Sequence, residues 1–341
     1  MVSEQVPATP EQNCKDFPVE NVPNLIYYPY PTHASSTMST SWSGVFPAVT
    51  TPLTADHQLD REAMLREYRG QIDAGVHGLV VCGSLGESST LTRAEKLDVL
   101  SAAVEASAGR VPVLCGIAEF STSVACQFAK DAADRGADGF MVLPPLLYVS
   151  DGPETLAYIR EIARATDRPI MIYNNPPAYK VDVTPEMFAE LADEPTVVAI
   201  KESSDDVRRI TDIKNLVGDR YQIFCGVDNI ALEALVLGAD GWLAGLVCAF
   251  PEETVAIYDL VKAGRLQEAV EIYRWFMPLL HLDVNPKLVQ NIKLAQAMVG
   301  RGSETVRAPR LPLVGDERAS VVATIEHALA NRPVLPQLEL A

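Results

Sequence analysis

Val197-Val198-Ala199-Ile200-Lys201-Glu202 is a short apolar run that ends in two charged residues. A continuous apolar run of this length is typical of a strand buried on both faces, as in a parallel sheet covered by helices. Seven comparable runs occur, at 44–49, 78–82, 112–116, 139–143, 169–173, 222–225 and 241–246. The pattern therefore predicts eight buried parallel strands.

Amphipathic segments separate these runs. They predict helices at 60–74, 93–108, 122–135, 153–165, 184–192, 204–216, 229–237 and 251–263. Eight strand–helix units in about 220 residues match a closed (β/α)8 TIM barrel, an α/β fold, better than an open sheet. The alternative, a doubly wound dinucleotide-binding fold, needs a GxGxxG motif after its first strand, and none follows residues 44–49.

The regions that flank the predicted barrel, 41–265, differ from it. Residues 1–40 contain six prolines, no glycine and no periodicity, so we expect a disordered or extended N-terminal extension. Met38 offers an alternative start. Helical patterns near 266–279, 286–299 and 317–329 predict a C-terminal helical extension over 266–341. Such an extension would pack on the barrel or build an oligomer interface.

The composition restricts the partners. The net charge is −17 and no basic stripe is present, which argues against nucleic-acid binding. No apolar run approaches the roughly 18 residues of a membrane span, and the N-terminus lacks a signal-peptide pattern, so we expect a cytoplasmic protein. The six cysteines form no CxxC pair and the five histidines form no HxH or HxxxH pair. These spacings predict free thiols and no metal site.

The end of the sixth strand carries the first candidate catalytic residue. Catalytic groups of such a barrel lie at the C-terminal ends of its strands. Lys201 follows four apolar residues, so we expect its side chain in or near the barrel mouth. Partial desolvation lowers the pKa of an amine toward roughly 7–8, where it attacks a carbonyl and forms a Schiff base. The structural alternative is an ion pair with Glu202 or with a carboxylate of a neighbouring strand.

Two other strand ends supply hydroxyl groups. Tyr173 ends the fifth strand and can relay protons, although a rim tyrosine with a satisfied hydroxyl is an equal alternative. Gly83-Ser84-Leu85-Gly86-Glu87 follows the second strand, where small residues let backbone N–H groups approach a carboxylate. The hydroxyl of Ser84 can join that of Tyr173. Glycine-rich segments at 226–228 and 238–241 could hold phosphate by the same argument.

Taken together, these strand ends resemble the dihydrodipicolinate synthase/N-acetylneuraminate lyase family of class I aldolases. The likeness covers roughly residues 42–300. It includes Gly44-Val45-Phe46-Pro47-Ala48-Val49-Thr50-Thr51-Pro52 on the first strand and 83–87 on the second. It continues with Tyr173-Asn174-Asn175-Pro176 on the fifth strand and Ile200-Lys201-Glu202 on the sixth. Four motifs in this order make the resemblance specific.

The resemblance implies a set of roles. Lys201 would form an imine with the 2-oxo carbon of the substrate, and Tyr173 would relay protons. Ser84 and the backbone amide of Leu85 would hold the substrate carboxylate, with Gly83 and Leu243 as further substrate-binding positions. No metal or organic cofactor is implied, because the protonated imine is the electron sink. Members are commonly homodimers or homotetramers.

Three positions depart from the lysine-biosynthesis branch of this family. Leu85 replaces the second of two hydroxyl residues. Pro145-Leu146-Leu147-Tyr148 replaces a pair of adjacent tyrosines, and Tyr148 fits the relay only with a shift of one residue. Ala178 replaces an arginine that grips the carboxylate of the second substrate. Losing that contact would cost on the order of 1.5–3 kcal/mol, which argues against condensation of pyruvate with aspartate semialdehyde.

A second branch, of hydroxyproline catabolism, resembles the chain more closely at 82–86, 173–177 and 275–283. The resemblance implies a 1-pyrroline-4-hydroxy-2-carboxylate deaminase, in which Lys201 attacks the C2 imine and opens the ring. The 4-hydroxyl then leaves as water, and hydrolysis releases ammonia and 2-oxoglutarate semialdehyde.

A weakly polar pocket with Leu85, Leu146 and Leu147 would suit that small ring. The alternatives are a 4-hydroxy-tetrahydrodipicolinate synthase, a 2-keto-3-deoxy-sugar acid aldolase or dehydratase, and a barrel that binds an oxo acid without turnover.

Overall fold

The computed structural model describes residues 42–337, so the N-terminal extension predicted over 1–40 lies outside the described residues. Eight parallel strands form one sheet in the order β1-β8-β7-β6-β5-β4-β3-β2. The strands are β1 Gly44–Pro47, β2 Leu79–Val81, β3 Val113–Ile117, β4 Gly139–Val142, β5 Ile170–Asn174, β6 Val197–Glu202, β7 Gln222–Cys225 and β8 Gly241–Ala244.

The sheet closes between its first two strands. Ala48 and Val80 form a parallel bridge, and the amide of Val49 donates to the carbonyl of Val80 at 3.0 Å. The predicted (β/α)8 barrel is therefore confirmed, with all eight predicted strands in place.

Helices follow the strands on the outside of the barrel. They are α1 Arg61–Asp73, α2 Arg93–Ser107, α3 Thr122–Asp134, α4 Gly152–Ala165, α5 Pro176–Tyr179, α6 Pro185–Glu190, α7 Arg208–Val217, α8 Ala231–Val236 and α9 Pro251–Lys262. The C-terminal extension adds α10 Leu266–Leu280, α11 Leu288–Met298 and α12 Gly315–Ala330. Among the described residues, no helix is both long and apolar enough to cross a bilayer.

Local sequence chemistry sets several helix starts. At α2, Thr92 and Glu95 form a capping box, in which each side chain accepts from the other's backbone amide. Helix α7 begins four residues later than the pattern predicts. Asp205 adopts a left-handed conformation with φ of 63°, and the carboxylate of Asp206 accepts from the amide of Arg208 at 3.0 Å. Because this turn uses residues 205–206, the helix cannot start before it.

The C-terminal extension is joined to the barrel by a buried ion pair. The ammonium of Lys293 on α11 contacts Glu87 at 2.6 Å and donates to the carbonyls of Thr51 and Thr305 at 2.8 and 2.7 Å. The second oxygen of Glu87 accepts from the amide of Arg307 at 3.0 Å. Both side chains of the pair are about 2% exposed or less. Hydrogen bonds at both ends make this pair a stable link between the β2 loop and the extension.

We expect Lys293→Met to lower the free energy of unfolding by about 3–5 kcal/mol, because Glu87 would become a buried charge without its cationic partner. The control is Lys287→Met, which removes a half-exposed ion pair with Glu317 and should cost at most about 1 kcal/mol. Urea unfolding of both variants measures the difference. Equal losses would show that the Glu87–Lys293 pair does not anchor the extension.

Candidate active site

A cavity of about 510 Å³ opens at the C-terminal ends of the strands. Its wall combines residues from strand ends, from the loops that follow them and from the segment between α10 and α11. The six residues predicted for the site all line it: Gly83, Ser84, Leu85, Tyr173, Lys201 and Leu243. The structure therefore brings together the positions that the strand ends and the family resemblance selected.

Lys201 lies within the barrel at the floor of this cavity. Strand pairing places it beside Tyr173 on one side and Phe224 on the other. The residue is 6% exposed, and its Nζ lies 4.0 Å from the centre of the Tyr173 ring. Among residues 42–337, no carboxylate is in ion-pair contact with this amine. Lys201 is thus a buried lysine without a salt bridge, which is rare unless the group has a function.

Glu202 does not pair with its neighbour. Its carboxylate accepts from the side-chain amide of Asn174 at 3.1 Å and from the backbone amide of Ser204 at 2.7 Å. Successive side chains of a strand point to opposite faces, which takes Glu202 away from the Lys201 amine. The predicted alternative of a Lys201–Glu202 ion pair is wrong.

Burial lowers the pKa of Lys201 from its ordinary value, because desolvation disfavours the ammonium. Asp283, Tyr179 and Asp228 oppose this shift. The lowered pKa increases the fraction of neutral amine near neutral pH. A neutral, enclosed amine is the form that attacks a carbonyl carbon.

Gly226, directly after β7, makes room for the lysine side chain. A Cβ atom at this position would lie 2.5 Å from Cε and 2.7 Å from Cγ of Lys201. Glycine is therefore required by close approach to Lys201, and the phosphate site suggested for 226–228 stays a prediction. The second suggested phosphate segment, 238–241, precedes β8 and so lies at the opposite end of the barrel.

A chain of hydroxyl groups crosses the cavity wall. The side chains of Ser84 and Tyr179 share a hydrogen bond, and Tyr179 packs edge-on against Tyr173 with 5.6 Å between ring centres. The amide of Asn175 donates to the hydroxyl of Tyr173 at 2.9 Å. Burial raises the pKa of Tyr173 to about 12, so its phenol stays protonated at neutral pH and can donate a proton.

Asp228 holds the end of β8 in position. Its carboxylate accepts from the indole of Trp242 at 2.9 Å and from the backbone amides of Gly245 and Leu246, the latter at 2.8 Å. Leu243, two residues before Gly245, is thereby fixed in the cavity wall. A carboxylate that already satisfies three N–H donors has a structural role here.

Comparisons with known proteins agree with this arrangement. The family model described as the Dihydrodipicolinate synthetase family matches residues 41–328. The chain belongs to this family. It is therefore an enzyme of the class I type, a lyase or aldolase that works through a Schiff base, as the resemblance implied.

Relatives and solved structures cover most of the chain. A Methanospirillum hungatei protein named 4-hydroxy-tetrahydrodipicolinate synthase is 33% identical over 271 residues, 79% of this chain and 93% of its own length. A Sorangium cellulosum protein of the same name is 35% identical over 295 residues, 85% of this chain and 97% of its own. The dihydrodipicolinate synthase structure from Thermotoga maritima superposes with a TM-score of 0.80 at 28% identity, covering 86% of this chain and 99% of that one.

The expected pocket of leucines is only partly correct for this member of the family. Leu85 lines the cavity and is 4% exposed, whereas Leu146 and Leu147 are absent from its lining. The loop after β4 turns outward, with Leu147 at φ of 88°, and leaves Leu147 and Tyr148 exposed. Tyr148 therefore contacts neither Ser84 nor Tyr173 among the described residues, and the suggested relay role is not seen.

Sequence reasoning missed several side chains of the wall, among them Tyr179 and Asp283. Tyr179 lies on the short helix α5, in a stretch between 165 and 184 for which the pattern predicts no helix. Prolines are favoured in the first turn of a helix, and this signal identifies α5 in retrospect. Asp283 lies in a helical extension that no strand-end rule searches.

Gly226→Ala should slow imine formation strongly, because the new methyl group must displace Lys201. We expect at least a tenfold fall in the rate at which pyruvate and borohydride modify the protein. Gly70→Ala is the control, since a Cβ there meets nothing within 4 Å and alanine suits the interior of α1. Unchanged modification of the Gly226→Ala variant would contradict the placement of Lys201.

Tyr179→Phe tests the hydroxyl chain. Removing this hydroxyl interrupts the contact between Ser84 and Tyr173, so we expect proton exchange at the methyl group of pyruvate to slow by about 10²-fold. Nuclear magnetic resonance in deuterium oxide measures that exchange. Tyr221→Phe removes a buried hydroxyl that donates to Phe188 and should leave the exchange rate unchanged. Equal exchange in wild type and Tyr179→Phe would remove Tyr179 from the relay.

Proposed function

We propose that the chain is a lyase that binds a small 2-oxo acid or cyclic imine covalently through Lys201. The single observation that carries the proposal is the environment of this amine. It is buried at the floor of an open cavity and has a lowered pKa, and within residues 42–337 no carboxylate lies in ion-pair contact with it. Such an amine is prepared to attack a carbonyl carbon and to form an imine.

The neighbouring groups fit the steps of imine chemistry. Attack first gives a carbinolamine, which must lose its oxygen as water and therefore needs a proton donor. Tyr173 lies against Lys201 with a protonated hydroxyl, and the chain through Tyr179 to Ser84 offers a path for the proton. We propose that Ser84 and the amide of Leu85 hold the substrate carboxylate, with Gly83 and Leu243 shaping that end of the cavity. The protonated imine then accepts electrons, so the proposal needs neither a metal nor an organic cofactor.

Two reactions are candidates on this common chemistry. The relatives reported above carry the name 4-hydroxy-tetrahydrodipicolinate synthase, and this favours condensation of pyruvate with aspartate semialdehyde. The comparisons give no support to the expected 1-pyrroline-4-hydroxy-2-carboxylate deaminase. The synthase is therefore the candidate that the relatives support.

The cavity wall supplies the specific observation that favours the second candidate. Ala178 stands where the synthase branch has its carboxylate-binding arginine, and the charged residues that line the cavity are Lys201, Asp205 and Asp283. Once Lys201 is an imine, no other cation of the described lining remains for a second carboxylate. A second carboxylate would lie near Asp205 and Asp283 without a cation to offset their repulsion. A substrate with one carboxylate, such as the hydroxypyrroline ring, avoids that repulsion.

The proposal extends to the assembly and the location of the enzyme. Assembly as a homodimer or homotetramer is proposed from the family resemblance, and the exposed apolar run Leu147–Val149 is compatible with a contact between copies. Work in the cytoplasm is proposed because the cysteines of the described region are free thiols, which suit a reducing compartment. We propose a small molecule as the partner, and neither nucleic acid nor a membrane.

Trapping with borohydride tests the covalent step. Wild-type protein incubated with pyruvate and borohydride should gain the mass of one reduced pyruvate unit, and Lys201→Ala should gain none. Lys180→Arg is the control, because it removes the exposed primary amine of the β5 loop. An adduct that survives Lys201→Ala, or no adduct on wild type, would overturn the proposal.

Turnover then separates the two candidates. Ammonia release from 1-pyrroline-4-hydroxy-2-carboxylate and condensation of pyruvate with aspartate semialdehyde are measured on the same preparation. Turnover in the second assay alone would establish the synthase and exclude the deaminase.

A further inference from the structure

Asp283 is the one carboxylate that the described part of the C-terminal extension, 266–337, places in the barrel cavity. It lies between α10 and α11, and its neighbours Val284, Asn285 and Pro286 line the same wall. The segment is held by Asn291 of α11, whose side-chain amide donates to the carbonyl of Leu282 at 3.0 Å. Asn291 is 3% exposed, so this support is itself part of the packed interior. The position of Asp283 is therefore preorganised.

The carboxylate occupies space left by a glycine. A Cβ atom on Gly245, at the end of β8, would overlap with Oδ1 of Asp283. The Gly245 amide is already used by Asp228. Asp283 thus lies against the end of β8, but the Gly245 amide next to it donates to Asp228 and not to Asp283.

Nothing described in the protein satisfies this carboxylate. No N–H or O–H group of residues 42–337 donates a hydrogen bond to it, and no cation lies in ion-pair contact with it. It does interact electrostatically with Lys201, across the space that a bound substrate would fill. The side chain is half-buried and faces the open cavity, so the hydrogen-bonding capacity that the protein leaves unused is available to a ligand.

We propose that Asp283 is the specificity-determining residue of the site, which receives a hydroxyl or amino group at the distal end of the Lys201-bound substrate and disfavours a second carboxylate. Hydroxyl and ammonium groups bring the donor that the carboxylate lacks. A second carboxylate brings no donor and would add a further acidic group beside Asp283 and Asp228, which already interact unfavourably with each other. This inference rests on the proposed imine at Lys201, but it does not depend on which of the two candidate reactions follows.

A competition between two 2-oxo acids tests the inference. The probes are 4-hydroxy-2-oxobutanoate, with a distal hydroxyl, and 2-oxoglutarate, with a distal carboxylate. Each competes with pyruvate for trapping by borohydride on the full-length protein, and the ratio of the two trapping efficiencies is measured. We expect wild type to favour the hydroxy acid and Asp283→Asn to reduce that ratio by about tenfold or more, as for loss of a charge-assisted hydrogen bond.

Two variants complete the design. Asp205→Asn removes one negative charge from the exposed rim of the same cavity and should change the ratio less than about twofold, since rim charges are screened by water. Asp283→Ala removes the side chain altogether and should lower the ratio at least as far as Asp283→Asn. Circular dichroism and the urea unfolding midpoint report that both Asp283 variants are folded, because Asp283 also acts on the pKa of Lys201 and its loss changes the absolute rate of pyruvate trapping.

The outcomes separate this inference from the proposed function. If wild type traps no 2-oxo acid, the imine proposal fails and Asp283 has no bound substrate to select. If wild type traps pyruvate but favours 2-oxoglutarate, or if Asp283→Asn keeps the wild-type ratio, the role of Asp283 is overturned while the imine stands. A ratio that falls equally in Asp205→Asn would assign the effect to general charge and would also overturn the role of Asp283.

Discussion

Closure of the parallel sheet is the constraint on which the rest of this structure depends. The bridge between Ala48 and Val80 joins the first two strands, and from it all eight strand ends converge on one mouth. Parallel pairing then places Tyr173 and Lys201 side by side, since they are partners in the register of β5 and β6. Backbone pairing of the two strands therefore brings together residues that are 28 positions apart in sequence.

Two buried lysines show how position in this frame decides the role of a residue. Lys293 contacts a carboxylate and donates to two carbonyls, so its charge is fully satisfied and it joins the extension to the barrel. The Lys201 amine lies over the aromatic face of Tyr173, and no carboxylate of residues 42–337 is in ion-pair contact with it. Burial lowers the pKa of both amines, but only at Lys201 can the neutral form reach a cavity. Desolvation without a paired charge is what makes an amine a nucleophile.

The C-terminal helices belong to the function as well as to the fold. They were expected as an extension that packs on the barrel or builds an interface between subunits. They do pack on the barrel, and the segment between α10 and α11 also supplies part of the cavity wall, including Asp283. The predicted boundary at residue 265 separates the helices of the barrel from those of the extension. The active-site cavity, however, is lined by residues from both sides of this boundary.

The catalytic frame could be read from the sequence because its signals are local. Short apolar runs identify buried strands, and the rule that barrel chemistry lies at their C-terminal ends selects Lys201, Tyr173 and Ser84. Family motifs at the same positions then add the Schiff-base chemistry. Within a strand, the alternation of faces even separates Lys201 from Glu202, although the sequence left an ion pair between them open.

The remainder of the site was decided by tertiary structure, because it depends on groups distant in sequence. Tyr179 reaches Ser84 across 95 positions, and Asp283 reaches the mouth from beyond the last barrel helix. Leu147 was expected in the pocket, but its loop turns outward with a left-handed backbone that hydrophobicity does not encode. Sequence alone thus determined the barrel and its reactive lysine, since strand pattern and register are local properties. Only the packing of loops and helices over the mouth determined what surrounds that lysine.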